Sequence, residues 1–379
     1  AAAMLSGGVL LTLDRALPPL RQQTMLREAK ARWLLFFGDA LPADPPWGDL
    51  PLDVLLVEPV GGALRQPAAV DLAAVQLPTV EPDDPAYIFF TSGTTNVPKG
   101  VLGIHKGLGH FLDWQRATFA IGPGDRSAQL TGLSFDVVLR DVFLPLTSGA
   151  ALYLPTEHYL VGSSRAIEWM NENAITVLHT VPGIAQTWLA APPADTRLQH
   201  MRWVFFAGEP LSEALVLAWR TTFSPAGRIV NLYGPTETTL AKFYYQTPDD
   251  LLSGVQPVGA ALPDTQALVL RPGNQLCGVG EAGEIVIRTP FHSLGYINAS
   301  AEQRKRFVPN PFNGDPNDLV YFTGDRGRYR PDGSLDILGR LDDQIKINGV
   351  RIELGELTAA LLEHPQVKAG IVIARKNAE

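Results

Sequence analysis

The hydrophobic positions of the chain alternate between short continuous runs and stretches with helical spacing. Near the start, the apolar runs at residues 9–13 (VLLTL) and 32–38 (RWLLFFG) predict buried strands. The stretch between them at residues 20–30 (LRQQTMLREAK) has the spacing of an amphipathic helix. This strand–helix–strand order predicts parallel strands covered by helices. Residues 42–85 are rich in Pro and Ala and give the weakest indication of regular structure, and we expect them to wrap the surface.

Further α/β units follow along the chain. The next one is predicted to have strands at residues 86–90 and 100–105 and a helix at 108–121. The one after it is predicted to have strands at 149–155, 175–181, 202–208 and 228–234, and helices at 165–174, 183–190 and 212–223. From about Val255 strand–turn units dominate, with PGN and PDG as turn signals, and the end predicts a hairpin, a helix and the start of a strand. The expected fold class is α/β: two stacked βαβ-type subdomains with covered sheets, plus a β-rich subdomain.

Composition and charge restrict the function classes. With 46% hydrophobic and 18% charged residues, the 379-residue chain is globular rather than disordered. A net charge of −8 argues against a nucleic-acid partner, although local loops and a metal can still bind a nucleotide. No apolar run reaches transmembrane length, so we expect no membrane partner. The lone Cys277 excludes a disulfide framework and a cysteine-based zinc site, and it fits a cytoplasmic protein.

The stretch TSGTTNVPKG at residues 91–100 is the first candidate for chemistry. It is dense in hydroxyls and glycines and ends on Lys99, as a phosphate loop would. A Walker-type loop needs a helix directly after its lysine, whereas here a predicted strand follows. Hydroxyls, backbone N–H groups and Lys99 would therefore hold the phosphates without a helix dipole. By itself the stretch fits an ordinary hairpin turn equally well.

Two more motifs place carboxylates in turns after strands. NLYGPTETT at residues 231–239 contains Thr236 and Glu237, and a carboxylate beside hydroxyls suits Mg²⁺ next to phosphates. In YFTGDRGRY, Asp325 is able to accept hydrogen bonds from two ribose hydroxyls, and Arg340 in DILGR is able to reach the ribose or a phosphate. Taken singly, these motifs also fit a capped helix start and a hairpin turn.

Together, these runs resemble the adenylate-forming superfamily. The matching runs are SGGVLLTLD, YIFFTSGTTNVPKGV, NLYGPTETT, GEIVIRTPFHSLGYIN and YFTGDRGRYRPDGSLDILGRLDDQIKINGVRIELGE, in family order over essentially the whole chain. NLYGPTETT and RIELGE are most similar to adenylation domains of nonribosomal peptide synthetases. The resemblance implies that ATP and Mg²⁺ activate an amino acid as its adenylate. Its acyl group then passes to the phosphopantetheine thiol of a peptidyl carrier protein.

The resemblance also implies roles for individual residues. It places Thr91, Ser92, Gly93, Thr94, Thr95 and Lys99 at the ATP phosphates. It places Asn231, Tyr233 and Gly234 along the adenine and acyl side, Asp325 at the ribose and Arg340 at the nucleotide. Thr236 would lie near the α-phosphate and Glu237 would bind Mg²⁺, so that Lys99, Thr236 and Glu237 form the catalytic set. Asp342 matches the hinge of the family, which divides a core lobe (1–341) from the start of a small C-terminal lobe (342–379).

The amino-acid pocket follows from the same resemblance. Asp136 matches the aspartate that binds the α-ammonium group, and it favours an amino acid over an aryl or fatty acid. The other matching positions are Val137, Arg140, His179, Phe205, Ala207, Leu232, Leu240 and Ala241. Arg140 either pairs with Asp136 or another nearby acid, with His179 as a core histidine, or both bind a second carboxylate of the substrate. Similarity to members that take Asp- or Glu-like amino acids favours the second interpretation.

Several departures from the family pattern qualify these expectations. The late lysine that contacts the acyl carboxylate has no counterpart, since Lys376 lies before its position, so we expect this chain alone to adenylate poorly. Truncation, coverage of part of a longer chain and an inserted domain all remain open explanations. Asn96 stands where the family has glycine, and we expect a positive φ there. Asn348 replaces a common arginine in the hairpin that approaches the site during thioester formation.

Two other functions stay open at this point. An acyl- or aryl-CoA ligase shares most of the motifs, but Asp136 and NLYGPTETT weigh against it. A non-catalytic remnant of an adenylation domain would be consistent with the missing lysine.

Overall fold

The computed structural model describes residues 2–65, 76–91, 98–155, 164–193, 197–223, 227–342, 344–348, 350–362, 364, 366–367 and 370–375. The predictions for Ser92, Gly93, Thr94, Thr95, Asn96 and Lys376 lie outside these residues. Within them, no helix combines the length and apolarity needed to cross a membrane. A cytoplasmic location stays a prediction.

The first third of the chain builds two small sheets. Its elements are α1 (Ala2–Leu5), β1 (Leu10–Leu11), α2 (Pro19–Glu28), β2 (Trp33–Phe37), β3 (Asp53–Val57), β4 (Pro85–Thr91), β5 (Lys99–Ile104) and α3 (His105–Phe119). Strand β4 pairs with β1 in parallel and with β5 in antiparallel orientation, and β2 pairs with β3 in parallel. Residues 42–85, which gave the weakest sequence indication of structure, contain the strand β3, which was not predicted. Its apolar run DVLLV pairs along its full length with β2.

A seven-stranded sheet forms the centre. Its strands and covering helices are β6 (Arg126–Ala128), α4 (Val137–Ser148), β7 (Ala151–Tyr153), α5 (Arg165–Glu172), β8 (Val177–Thr180), α6 (Pro182–Ala190), β9 (Trp203–Ala207), α7 (Glu213–Thr222), β10 (Arg228–Tyr233), β11 (Phe243–Gln246) and β12 (Ala260–Ala261). The strand order is β12-β11-β10-β9-β8-β6-β7, with β7, β6, β8, β9 and β10 parallel. Helices cover both faces, as the α/β pattern predicts.

Strand β9 shows how this sheet sorts its side chains between two cores. Trp203 and Phe205 pack on one face with the aromatic side chains of α3, including Phe111. Val204 packs on the opposite face with Trp219 of α7. Since side chains alternate along a strand, a continuous apolar run serves both cores, which is typical of a buried parallel sheet.

The β-rich part lies after residue 255, as predicted. It contains β13 (Gln266–Arg271), β14 (Gln275–Leu276), β15 (Gly283–Arg288), α8 (Ala301–Arg304), β16 (Phe307–Pro309), β17 (Leu319–Tyr329) and β18 (Leu335–Arg340) in one antiparallel sheet with α8 beside it. A hairpin of β19 (Gln344–Ile347) and β20 (Val350–Glu353) leads into α9 (Leu354–Leu362). The predicted final strand is absent from residues 370–375, which pair with no strand in the described part of the chain. The mixed α/β architecture with several sheets confirms the fold class.

Candidate active site

The candidate residues gather where the parallel strands of the central sheet end. His179, Ala207 and Tyr233 lie at or next to the carboxyl ends of β8, β9 and β10. Glu237 follows four residues after Tyr233, in a 3₁₀ turn. Open α/β sheets generally bind ligands at this edge.

Glu237 is the most deeply buried acid among the catalytic candidates. Its side chain is fully buried, and its Oε1 accepts hydrogen bonds from the Tyr296 hydroxyl at 2.5 Å and from Arg351 Nη1 at 3.0 Å. Burial alone would raise the pKa of Glu237, but the Arg351 guanidinium and the Tyr296 hydroxyl hold it below its ordinary value. Glu237 Oε2 is buried without a hydrogen-bond partner among the described residues. The carboxylate is therefore ionised and keeps one oxygen free for a further ligand.

Lys99 is the first residue of β5 and lies opposite Thr91, the last residue of β4. Thr91 Oγ1 donates to the Lys99 carbonyl at 3.4 Å. Lys99 Nζ lies 3.5 Å from Glu353 Oε1. Burial lowers the pKa of Lys99, and the nearby Glu353 carboxylate opposes this effect. The strand–loop–strand setting predicted around the loop is present in the two strands that flank it.

The β19–β20 hairpin supplies the partners of both catalytic candidates. Arg351 and Glu353 are two residues apart on β20, so their side chains emerge on the same face. At the tip, Asn348 has φ 50°, a left-handed conformation that Asn tolerates in tight hairpin turns. A Cβ added to Gly183 would lie 2.6 Å from Asn348 Oδ1, so the hairpin tip lies directly against the start of α6. The hairpin thus closes over the nucleotide side of the cleft.

The residues predicted at the ribose also come together. Asp325 on β17 stands opposite Arg340 on β18, and its Oδ1 accepts from Arg340 Nη1 at 2.9 Å. Its Oδ2 accepts from the Tyr233 hydroxyl at 2.6 Å. Arg340 also donates to both oxygens of Asp342 at 2.8 and 2.6 Å. The predicted hinge residue is therefore joined to the predicted ribose site through one guanidinium.

Asn231 and Gly234 have structural functions in this arrangement. Asn231 is buried and its Nδ2 donates to the Pro257 carbonyl at 2.8 Å. A Cβ on Gly234 would lie 2.2 Å from the Leu240 carbonyl oxygen, so only glycine allows this close approach. Their predicted contacts with the nucleotide stay predictions.

Asp136 is the residue predicted to bind the ammonium group of an amino acid. It lies at the N-terminal end of α4 and is half-buried. Burial raises its pKa, against the opposing effects of the Thr236 hydroxyl and the Arg140 guanidinium. Helix α4 places Arg140 one turn after Asp136, on the same face, as predicted. Arg140 is 3% exposed, and its Nε lies 3.3 Å from Asp141 Oδ1.

His179 is a core histidine. It is buried, and its ring stacks on Phe205 with centroids 4.8 Å apart. Its Nε2 lies 2.8 Å from Gln115 Nε2 and its Nδ1 lies 3.4 Å from Asp141 Oδ1. Burial and the Arg140 charge lower its pKa well below the ordinary value, so the ring is neutral. Its Nδ1 forms no hydrogen bond with the described residues, and binding of a substrate carboxylate by His179 stays a prediction.

The remaining pocket positions are apolar. Phe205, Leu232, Leu240 and Ala241 are buried, while Val137 and Ala207 are half-buried. Thr239 and Leu240 have φ angles of 66° and 56°. Positive φ is rare for a β-branched residue, and such strain is typical of functional sites. The Tyr87 hydroxyl, 3.3 Å from Thr239 Oγ1, supports this conformation of the chain.

The protein ligands alone do not enclose a metal ion. Across the described ranges of the chain, no group of three or more His, Cys, Asp or Glu side chains is arranged to hold one. The free Oε2 of Glu237 nevertheless fits a single carboxylate ligand for Mg²⁺. In phosphate sites Mg²⁺ is usually bound by one or two carboxylates, with water and substrate oxygens completing its coordination.

Comparison with known proteins identifies the family. The model of the family described as AMP-binding enzyme matches residues 1–297. The chain belongs to the AMP-binding enzyme family. This confirms the resemblance to the adenylate-forming superfamily, whose members use ATP and Mg²⁺.

The relatives of this AMP-binding domain are parts of larger proteins. L-2-aminoadipate reductase of Saccharomyces cerevisiae is 33% identical over 423 aligned residues, which cover 99% of this chain and 30% of that protein. Tyrocidine synthase 3 of Brevibacillus parabrevis is 35% identical over 381 residues, covering 99% of this chain and 6% of that protein. The solved structure of PA1221, an NRPS protein containing adenylation and PCP domains, is 28% identical with a TM-score of 0.83. The match covers 99% of this chain and 73% of that one.

Sequence patterns alone did not assign several contacts of the site. Tyr296 and Glu353 lie within the runs that carry the resemblance, but nothing in their spacing shows that they face Glu237 and Lys99. Asp141 directly follows the pocket position Arg140 in the sequence, and this adjacency could have identified it as a site residue. Gln115 lies on the buried face of α3, where a lone amide gives no signal. Sequence patterns thus missed residues whose contact partners are distant in the sequence, and residues that carry no charge themselves.

Proposed function

We propose that this AMP-binding domain activates an amino acid as an aminoacyl-adenylate and delivers it to a carrier-protein thiol. The observation that carries the proposal is the position of Asp136. Its carboxylate interacts with the Thr236 hydroxyl, next to Glu237, so an ammonium-binding group adjoins the nucleotide-binding groups. An aryl or fatty acid has no ammonium group that would need such a carboxylate.

The proposed chemistry is positioning and charge stabilisation. Lys99 and Thr236 bind phosphate oxygens, and Asp325 accepts hydrogen bonds from the ribose hydroxyls. Glu237 binds the metal with its free oxygen. Bound Mg²⁺ would offset the charge of the phosphates as the substrate carboxylate approaches. The protein needs no nucleophile of its own, because two oriented reactants gain most of the rate from proximity and fixed electrostatics.

We propose a side-chain carboxylate as the feature that the pocket selects. Arg140 is almost fully buried, and only its Nε is hydrogen-bonded within the described residues. Its two Nη groups remain available for a bidentate contact with a carboxylate. A relative with 33% identity is named for 2-aminoadipate, an amino acid with a second carboxylate. Asp, Glu and 2-aminoadipate are therefore the leading candidates.

The proposed partner is a peptidyl carrier protein. Similar solved structures contain adenylation and PCP domains, and the synthase relatives are peptide synthases by name. The alignment with tyrocidine synthase 3 has nearly the length of this chain, whereas that with the reductase is longer by about 40 positions. The spacing of the motifs thus favours the peptide-synthetase branch. We also propose the division into lobes at Asp342, whose pairing with Arg340 would anchor the hinge.

The test is ATP–pyrophosphate exchange by the full-length protein across an amino-acid panel. We expect Asp, Glu and 2-aminoadipate to exceed Asn, Gln and Leu, since the neutral amides leave a buried guanidinium unpaired. Replacing Arg140 with Ala should abolish this preference. Exchange that depends on a fatty or aryl acid rather than an amino acid, or transfer to free CoA instead of a carrier protein, would favour an acyl- or aryl-CoA ligase. No exchange with any acid would favour a non-catalytic domain.

A further inference from the structure

Two opposite charges lie one helical turn apart on the amino-acid side of the cleft. Asp136 and Arg140 occupy positions i and i+4 at the start of α4. An acidic residue four positions before a basic one is the favourable order for an ion pair on a helix. If they paired, the carboxylate would lose its capacity for a substrate ammonium and the guanidinium its capacity for a substrate carboxylate.

The structure shows them apart. Arg140 interacts electrostatically with Asp136. Within the described chain, however, its ion pair is with Asp141, at 3.3 Å between Nε and Oδ1. Asp141 is fully buried and cannot turn toward solvent. The same Oδ1 lies 3.4 Å from His179 Nδ1, and Gln115 contacts the other ring nitrogen. Side chains from three secondary-structure elements thus surround the carboxylate that holds the guanidinium, and its Oδ2 has no hydrogen-bond partner among the described residues.

Asp141 contacts the Nε edge of the Arg140 guanidinium, and this determines which nitrogens remain available to a substrate. Binding through Nε leaves the two Nη groups free of hydrogen bonds to described residues, and these form the fork that matches a carboxylate. His179 is neutral, so it supports Asp141 without competing with Arg140 for its charge.

We propose that Asp141 is a positioning residue that holds the Arg140 guanidinium away from Asp136, so that one helix turn presents separate sites for a substrate ammonium and a substrate carboxylate. The inference rests on the proposed amino-acid specificity. Asp141 touches no substrate in this assignment and acts only through Arg140.

The deciding variant is Asp141→Asn, which keeps the size of the side chain and removes its charge. Arg140 should then pair with Asp136 and block ammonium recognition for every amino acid. We expect the KM for L-glutamate and for L-glutamine to rise roughly 10- to 100-fold in pyrophosphate exchange by the full-length protein. The KM for ATP should change less than about two-fold, because the nucleotide groups are untouched.

A double variant separates positioning from a general structural defect. In Arg140→Met with Asp141→Asn no guanidinium can reach Asp136, so the KM for L-glutamine should return to that of Arg140→Met alone. The matched control is Asp125→Asn. Asp125 is equally buried and pairs with Arg202 at 2.6 Å, at the opposite end of the strands.

The outcomes distinguish the inference from the proposed function. Rescue of L-glutamine by the double variant, with unchanged amino-acid KM in Asp125→Asn, supports the positioning of Arg140. An unchanged KM in Asp141→Asn, or a loss that the double variant does not reverse, overturns it while wild-type exchange with amino acids leaves the proposed function intact. A wild-type protein that exchanges with no amino acid overturns both.

Discussion

The nucleotide side and the amino-acid side of the cleft neutralise their buried charges in different ways. On the nucleotide side, Glu237 pairs with Arg351, 114 residues later in the chain, in the β19–β20 hairpin. Lys99 pairs with Glu353 of that hairpin. On the amino-acid side, Arg140 pairs with the adjacent residue of its own helix. The first arrangement joins two parts of the fold, whereas the second belongs to one core.

The difference separates ion pairs whose partner a ligand can replace from ion pairs whose partner is fixed in the core. The β19–β20 hairpin can move as a unit. Bound Mg²⁺ would then take the place of the Arg351 charge beside Glu237, and a phosphate would take the place of the Glu353 charge beside Lys99. Asp141, on α4, is fully buried against His179 of β8, so its charge belongs to the core rather than to a separate element. We therefore expect ligand-dependent effects on the nucleotide side and fixed specificity on the other.

The largest expected effect is that of Glu237→Gln. The change removes the charge of the only metal-binding candidate, so we expect exchange activity to fall roughly 10²- to 10³-fold. The amino-acid KM should remain near the wild-type value, because Arg140 and Asp136 keep their partners. Steady-state exchange at saturating Mg²⁺ measures both. The control is Glu281→Gln on the exposed surface, and a loss below about three-fold in Glu237→Gln would contradict the metal assignment.

Lys242 tests what happens when a buried amine has no hydrogen-bond partner among the described residues. It follows Ala241 of the pocket, is fully buried, and its Nζ has no hydrogen-bond partner in the described part of the protein. Burial lowers its pKa to about 7. Lys242→Met keeps most of the side-chain volume and removes the amine, whose Nζ lies 5.9 Å from the centroid of the Phe291 ring. We expect it to increase the free energy of unfolding by roughly 2–4 kcal/mol at pH 6 in chemical denaturation.

The pH dependence of this gain has a definite sign. Between pH 7 and the ordinary value of 10.5, the unfolded chain binds a proton at Lys242 that the folded chain does not. Wild-type stability therefore rises with pH across this window, and the advantage of Lys242→Met should shrink from pH 7 to pH 10. Lys106→Met, at a more exposed lysine, serves as the control. A destabilised Lys242→Met variant at pH 6 would show that the amine has a partner in solution.

Asp136→Asn should affect only the amino-acid side. We expect the amino-acid KM to rise roughly 10- to 100-fold, the range for loss of a hydrogen bond to a charged group, with the ATP KM unchanged. Because burial raises the pKa of Asp136, wild-type KM should start to rise at a higher pH than for an ordinary aspartate as the solution is acidified. The variant should lack this acid limb. Asp113→Asn, an exposed position, provides the control, and equal losses for ATP and amino acid would argue against a specific ammonium contact.

The sequence predicted the strands β7 to β10 of the central sheet because their apolar runs serve two cores at once, and it missed the strands β6, β11 and β12. Strands such as β9 lack polar residues, and their helices have clear periodicity. Strand β3 escaped prediction because Pro- and Ala-rich flanks diluted a five-residue run. The final strand was predicted from apolar content alone, and apolar content does not show whether a partner strand is within reach.

At the site, the motifs identified Glu237, Asp325 and Arg340 but not what pairs with them. Asp325 and Arg340 meet because two strands are in register, a relation that a local pattern does not encode. His179 illustrates the opposite case. Its position matched a pocket residue, but the carboxylate and amide beside it come from α4 and α3, and they make it part of the core.

The smallest expected effect is the most direct test of the comparison. Arg351→Gln and Glu353→Gln remove the hairpin charges that occupy the groups proposed to bind Mg²⁺ and phosphate. If ligand and hairpin compete, each change should lower the Kd of Mg-ATP by about two- to five-fold, because the net contribution of one hydrogen bond is about 1 kcal/mol. Calorimetry with Mg-ATP measures this, and Arg328→Gln, which loses a pair with Asp336 elsewhere, is the matched control. Weaker ATP binding in both hairpin variants would mean that these side chains support the nucleotide rather than stand in its place, and the two sides of the cleft would then be equally fixed.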